Sequence, residues 1–266
     1  MVGIAVGVIA LSSCSSEEMP RLGLPSPATE QGKTVLNIWQ GSWIAAFVVG
    51  GIVWGLIAWV AIFHRRKRGD SELPVQTRYN LPVEILYTVT PLIVVCVLFY
   101  FTWRDENVEL DRSETPDVTV QVIGQQWSWD FNYLDQNVHV EGTTDNPPTL
   151  VLPVDKRVEF ILTSPDVIHD FWVPDFLFKM DIFPSDPNVI QMTPDRLGTF
   201  SGRCAEFCGL DHSQMTFSVK VVSEDEYTDF LAQLKTEGLT GYLRPELIDE
   251  LPGTQDSDRV EPGGLR

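Results

Sequence analysis

Two long stretches of the chain carry no formal charge. Residues 34–63 are rich in Trp, Ile, Val, Ala and Gly, and residues 85–103 are almost as apolar. Roughly 20 apolar residues suffice to cross a bilayer core as a helix, so both stretches predict transmembrane helices, joined as a hairpin. Beyond them the pattern changes period. Val118-Thr-Val-Gln-Val122 alternates apolar and polar, and so does Met215-Thr-Phe-Ser-Val-Lys-Val221. Residues 150–153 and 157–162 form a further strand region around a turn at Asp155-Lys156, with Pro and Gly punctuating the intervals. Short alternating strands at such spacing predict an all-β sandwich or barrel. One helix closes this region. Ser223-Glu-Asp-Glu226 is a capping-box pattern, followed by Tyr227, Phe230, Leu231 and Leu234 at i, i+3, i+4 and i+7, a single apolar stripe.

Charge gives the topology. The loop between the apolar stretches holds Arg65, Arg66, Lys67, Arg68 and Arg78 against Asp70 and Glu72. Positive residues in short loops stay cytoplasmic, so both flanking regions, and both termini, are expected outside a bacterial plasma membrane. Residues 105–266 contain 31 Asp/Glu and 11 Lys/Arg, a net charge of −20, whereas the residues before them carry +2. An external region this acidic excludes nucleic acid as a partner. It suits either simple solubility or a partner with a basic face, whose attraction salt would screen.

The chain opens with an apolar run over residues 2–11, then Leu11-Ser-Ser-Cys14, which looks like a bacterial lipoprotein cleavage box; the implied chemistry is cleavage before Cys14 and acylation of its sulfur. No Lys or Arg precedes the run, as a signal n-region would have. The expected layout is therefore a signal and linker over 1–33, the hairpin over 34–104, an external β domain over 105–237, and an acidic tail over 238–266. With its Pro and Gly, that tail reads as extended or mobile.

The chemistry concentrates in Cys204-Ala-Glu-Phe-Cys-Gly-Leu-Asp-His-Ser-Gln-Met215. Two thiols, an imidazole and a thioether within twelve residues favour copper, zinc or an iron–sulfur centre, and methionine tilts the balance to electron-transfer copper. The two cysteines could instead close a disulfide in an oxidising compartment, or join two histidines around zinc. A copper site needs a further imidazole, and outside the cytoplasmic loop only His139 or His169 can supply it. His169 follows Ser164-Pro-Asp-Val-Ile among aromatics, where a cupredoxin-like sandwich would present a ligand; His139 lies in a polar stretch. Two sulfurs, two imidazoles and a thioether exceed one blue-copper centre and suit two coppers bridged by both sulfurs. Cys96 lies within the second apolar stretch and reads as an inert apolar residue.

Cys-x-x-x-Cys-x-x-x-His-x-x-Met, joined to the upstream Asp-Val-x-His and the hairpin, resembles subunit II of haem–copper cytochrome c oxidases. The resemblance runs from about residue 35 to 234. It implies a binuclear CuA centre with side-chain ligands His169, Cys204, Cys208, His212 and Met215, and Glu206 ligating through its carbonyl. It also implies that the Glu206 carboxylate reaches a magnesium shared with subunit I. Trp127, in Gly124-Gln-Gln-Trp-Ser-Trp129, is then where electrons from a c-type cytochrome come in. Ser128 departs from the aromatic residue frequent there. Glu84, in a Val-Glu-x-x-Tyr-Thr context, is implied to lie at the mouth of a proton channel, although a carboxylate at a helix N-terminus is also an ordinary dipole partner. Subunits I and III, membrane lipid and a basic cytochrome are the implied partners. Oxygen reduction would occur in subunit I and be coupled to proton translocation. A CuA subunit of a nitric oxide reductase and a membrane-anchored copper-delivery protein are the competing readings.

Overall fold

The computed structural model of the chain describes residues 18–65, 69, 76–248 and 251. The Cys14 cleavage box and the end of the acidic tail lie outside the described residues. Inter-residue contacts divide the chain into a helical unit, Val35–Asn107, and a second unit holding the β structure together with the residues up to Thr34.

The helical unit contains most of α1 (Glu30–Phe63) and α2 (Leu81–Glu109). At 1.5 Å per residue both are longer than the roughly 30 Å hydrocarbon core. Their large side chains point outward, with Trp54 72% and Phe99 69% exposed. In water such surfaces would be a liability; in lipid they are the required face.

The β structure comprises β1 (Val118–Gln125), β2 (Ser128–Tyr133), β3 (Val138–Glu141), β4 (Thr149–Pro153), β5 (Val158–Thr163), β6 (His169–Val173), β7 (Phe178–Ile182), β8 (Asn188–Met192), β9 (Gly198–Cys204) and β10 (Thr216–Val222). They form two five-stranded sheets, ordered β3-β2-β1-β5-β8 and β4-β10-β9-β6-β7. β1 pairs parallel with β5, and β10 pairs parallel with β4; the other neighbours are antiparallel. The two sheets make a cupredoxin-like sandwich; the alternating strands predict a sandwich or a barrel, and the cupredoxin-like form is the expectation set by the His169 loop.

Period-2 alternation builds the core. Trp129, Phe131 and Tyr133 of β2 point inward, and Phe217, Val219 and Val221 of β10 meet them. Phe217 stacks on Phe171 of β6, with centroids 5.1 Å apart and planes 13° apart, and its centroid lies 4.9 Å from that of Trp129. Gly202 makes room for this stack, since a Cβ there would fall within the Phe217 ring.

α3 (Glu224–Thr236) carries the expected capping box. The Glu226 amide donates to Ser223 Oγ (3.3 Å), and the Ser223 amide donates to Glu226 Oε2 (3.1 Å). Tyr227, Leu231 and Leu234 are buried on the sandwich. The first part of the segment after Gly238 is pinned rather than loose. Gly241 N–H donates to the Asn137 carbonyl (3.0 Å) and Tyr242 Oη donates to the Leu134 carbonyl (2.8 Å). A short α4 (Pro245–Ile248) then buries Leu247.

The start of α1 is built into the β unit. The Thr193 amide donates to Gln31 Oε1 (3.0 Å), Thr29 Oγ1 donates to the Phe176 carbonyl (3.3 Å), and Lys33 pairs with Asp195.

Candidate metal centre

Strand register brings the sulfur and imidazole donors together. Phe171 of β6 pairs with Cys204, the last residue of β9, and Thr216, the first residue of β10, pairs with Arg203. The start of β6, the end of β9 and the start of β10 therefore meet at one end of the sandwich, at His169, Cys204 and Met215. Backbone bonds lock the meeting point: the Cys204 amide donates to the Met215 carbonyl (3.0 Å), and the Ala205 amide donates to the Asp170 carbonyl (3.2 Å). Trp129 Nε1–H in the core donates to the same Met215 carbonyl (3.3 Å).

The donor atoms form a chain of close approaches. His169 Nδ1 lies 3.9 Å from Cys204 Sγ, and Cys204 Sγ lies 3.8 Å from Cys208 Sγ. Cys208 Sγ stands 3.5 Å from His212 Nδ1 and 3.7 Å from Met215 Sδ. The Glu206 carbonyl oxygen is 3.2 Å from Cys204 Sγ. A sulfur separation of 3.8 Å is nearly twice a disulfide bond, so both thiols are free. Donor atoms of His169, Cys204 and Cys208 lie within 4.8 Å of one another, and all three residues are buried.

Electrostatics suit a bound cation. Burial first, then the neighbouring Cys204 sulfur, push the Cys208 thiol up to about 12. Two thiolates side by side in a buried pocket repel, and a metal ion is what would hold both ionised. Soft sulfur flanked by two imidazoles fits copper by donor type.

Asp166 sets the His169 ring. Burial would raise this carboxyl, but hydrogen bonds from the Gln126 amide, His169 and the Val167 amide outweigh it and hold Asp166 below the usual carboxylate range. An ionised carboxylate only accepts, so His169 Nε2 donates to Asp166 Oδ1 (2.8 Å). The Nδ1 lone pair is then left facing the sulfurs. Burial also lowers the His169 pKa, against the opposing pull of Asp166, and so favours the neutral ring that ligation requires. In the sequence Asp166 opens the Asp-Val-x-His pattern, with no feature of its own that assigns it a role. The i, i+3 spacing of Asp and His was the signal that could have found it.

The turn between β1 and β2 rests on the metal loop. Gln126 Nε2 donates to the Cys208 carbonyl (2.7 Å), Trp127 Nε1 donates to the same oxygen (3.3 Å), and the Gln126 amide donates to Asp166 Oδ2 (2.8 Å). Gly209, at φ +130°, lies beneath the Trp127 indole; a Cβ there would stand 3.0 Å from Nε1. Trp127 is thus one side-chain hydrogen bond from the carbonyl of Cys208.

Other sequence candidates fall elsewhere. His139, on β3, has Nδ1 3.1 Å from the Gly241 carbonyl and lies outside the cluster. Cys96 is exposed on α2. Glu84 belongs to the helical unit, where its Oε1 accepts from the Asn80 amide (3.0 Å) at the start of α2, a capping contact. The Glu206 side chain is exposed. Asp170, which no sequence motif marks, is buried opposite Asp181 of β7; burial and that neighbouring carboxyl push it up to about 7.

Known proteins are similar to this chain in sequence. Residues 142–222 match the family model for the periplasmic domain of cytochrome c oxidase subunit II. The chain is 49% identical to the probable cytochrome c oxidase subunit 2 of Streptomyces avermitilis, over 87% of this chain and 85% of that relative. It is 34% identical to cytochrome c oxidase subunit 2 of Mycobacterium tuberculosis, over 92% of this chain and 83% of that relative. Among solved structures, the periplasmic domain of subunit II of cytochrome oxidase (CoxB) of Bradyrhizobium japonicum is similar at 29% identity. That match covers 47% of this chain and 97% of the other, at a TM-score of 0.44.

Proposed function

From a chain that belongs to the cytochrome c oxidase subunit 2 family, we propose an electron-accepting subunit that holds a binuclear CuA centre. It is a membrane protein with an extracytoplasmic domain, one subunit of an oxidoreductase complex, and subunit I is its partner. The proposed ligands are His169, Cys204, Cys208, His212 and Met215, with Glu206 contributing its carbonyl oxygen. One observation carries the reading: both sulfurs, both Nδ1 atoms and the thioether lie in an unbroken chain of approaches of 3.9 Å or less. A copper pair held by these residues would supply one-electron chemistry.

The chain's own residues do the rest. Asp166 orients the His169 ring and fixes its tautomer. The paired backbone of β6, β9 and β10 holds the donors stiff, which keeps reorganisation small. Trp127, seated on the Cys208 carbonyl, is the proposed uptake point for electrons from a c-type cytochrome, which pass on to haem in subunit I. The Glu206 carboxylate, free of the cluster, is available to a magnesium shared with subunit I. Subunit III completes the proposed assembly.

The test is copper content and EPR of the copper-loaded full-length protein. Two coppers per chain and seven hyperfine lines, the count for one electron shared equally by two copper nuclei, are expected. One copper with four lines would favour a copper-delivery protein.

The acidic surface gives a second expectation. Residues 105–266 carry a net charge of −20, so turnover with a basic cytochrome falls as ionic strength rises and the Debye length shrinks to about 10 Å at 0.1 M. Flat salt dependence would leave that charge with solubility alone.

Glu84 is proposed to sit at a proton-channel mouth of subunit I, in an enzyme that translocates protons. Glu84→Gln is then expected to slow turnover while the copper spectrum stays intact. Should the variant turn over normally, the Asn80 contact is all the carboxylate provides.

A further inference from the structure

The segment that follows α3 runs across the outward side of the β3-β2-β1 sheet. The His139 amide donates to the Leu239 carbonyl (3.1 Å). Asn132, fully buried, grips Leu243 at both ends: its Nδ2 donates to the Leu243 carbonyl, and its Oδ1 accepts from the Leu243 amide, each at 2.9 Å. The same Nδ2 donates to Gln121 Oε1 (2.8 Å), and Gln121 Nε2 donates to Thr163 Oγ1 (3.2 Å). A buried, mutually satisfied polar chain therefore fixes this strap at Leu243.

Arg244, the next residue, adopts φ +52°. A left-handed backbone is uncommon for any residue with a Cβ and persists where surrounding structure imposes it. Here the Asn132 grip lies on one side, and on the other the Leu247 amide donates to the Arg244 carbonyl (2.9 Å) as α4 begins. The guanidinium turns toward the metal end of the sandwich, and Nη2 donates to Gln125 Oε1 (2.5 Å).

Gln125, the last residue of β1, pairs with Ser128, the first of β2, with only Gln126 and Trp127 between them. Gln125 Nε2 donates to Asp130 Oδ2 (2.8 Å), and Asp130 Oδ1 accepts from the Gly142 amide (3.0 Å). Burial holds Asp130 above the usual carboxylate range, and the Arg244 charge is among the influences opposing that rise. The far side of the turn is tied to Asp166 and the Cys208 carbonyl. Thr144 Oγ1 donates to the Trp127 carbonyl (2.9 Å). One flank of the Trp127 turn thus rests on the metal loop, and the other rests on the C-terminal strap through Arg244.

We propose that Arg244 is a positioning residue for electron uptake: the strap delivers it to Gln125 and so holds the turn that aims Trp127. This rests on the reading of Trp127 as the uptake point. Charge and positioning predict opposite signs. Removing a cation from an acidic surface strengthens attraction to a basic donor, so steering alone makes Arg244→Ala faster. Loss of positioning makes it slower.

The experiment is stopped-flow reduction of the copper-loaded full chain by a reduced, basic c-type cytochrome, with EPR recorded on every variant. Arg244→Ala is expected to slow reduction roughly threefold to tenfold with an unchanged copper spectrum. Gln125→Ala should do the same from the other side, and the double variant should be no slower than either alone. Arg244→Lys should recover part of the rate. Faster or unchanged reduction in Arg244→Ala, or additive losses in the double variant, would overturn the proposal. Trp127→Ala separates the two readings. If it reduces at the normal rate, the uptake reading itself fails; if it is slow while Arg244→Ala is normal, only the positioning role is lost.

Discussion

A Cys208→Ser chain is expected to lose the proposed copper pair outright. Cys208 Sγ is the centre of the donor chain, with Cys204 Sγ, His212 Nδ1 and Met215 Sδ all within 3.8 Å. A serine hydroxyl is hard, stays protonated near neutral pH, and cannot bridge two soft ions as a thiolate does. The buried pocket keeps its shape, because Ser differs from Cys by one atom and the Cys208 carbonyl still accepts from Gln126 and Trp127. The expected product is a folded chain with at most one copper, four hyperfine lines and no reduction by cytochrome. Metal analysis and EPR on the same sample check it. Two coppers and a seven-line spectrum from this variant would mean that the bridge is not built on this sulfur.

Asp166→Ala is expected to weaken copper binding by about 10- to 100-fold, the usual cost of removing the partner that orients a ligating histidine. Asp166 Oδ1 takes the His169 Nε2–H, and Oδ2 takes the Gln126 amide. The single carboxylate thus sets a ligand tautomer and anchors the Trp127 turn. Asp166→Asn should fall between the two, because an amide offers one acceptor oxygen where the carboxylate serves two donors. Titration against a copper chelator measures the affinity, and donor-driven reduction measures the turn. An alanine variant with wild-type affinity would show that sandwich packing alone sets the His169 ring.

Much of this architecture was readable residue by residue. The charge-free runs gave both long helices, and alternation in residues 118–122 and 215–221 gave β1 and β10, because burial on one face of a pleated strand leaves a period of two. Ser223 and Glu226 gave the start of α3, because a capping box is a local contact. The alternation of β2 was only half informative. Trp129, Phe131 and Tyr133 face the core as the pattern suggests, yet Asp130 and Asn132 on the opposite side are also buried. Asn132 lies under a strap more than a hundred residues away in the chain. No window of sequence contains that pairing, and the strap's own Gly, Pro and acidic residues read as a loose tail.

The sequence by itself determined which donors the proposed centre can offer. Cys204, Cys208, His212 and Met215 lie on one short loop, and soft donors at that spacing narrow the metal whatever the rest of the chain does. Tertiary structure alone decided the remainder: how the end of β9 and the starts of β6 and β10 bring His169 to the sulfurs, that Asp166 orients it, and that Leu243 and Arg244 pass beside the Trp127 turn. Each of these depends on which strand ends the two sheets bring together. Register between distant strands is fixed by the collective packing of Trp129, Phe171 and Phe217, not by any local preference of the residues that meet there.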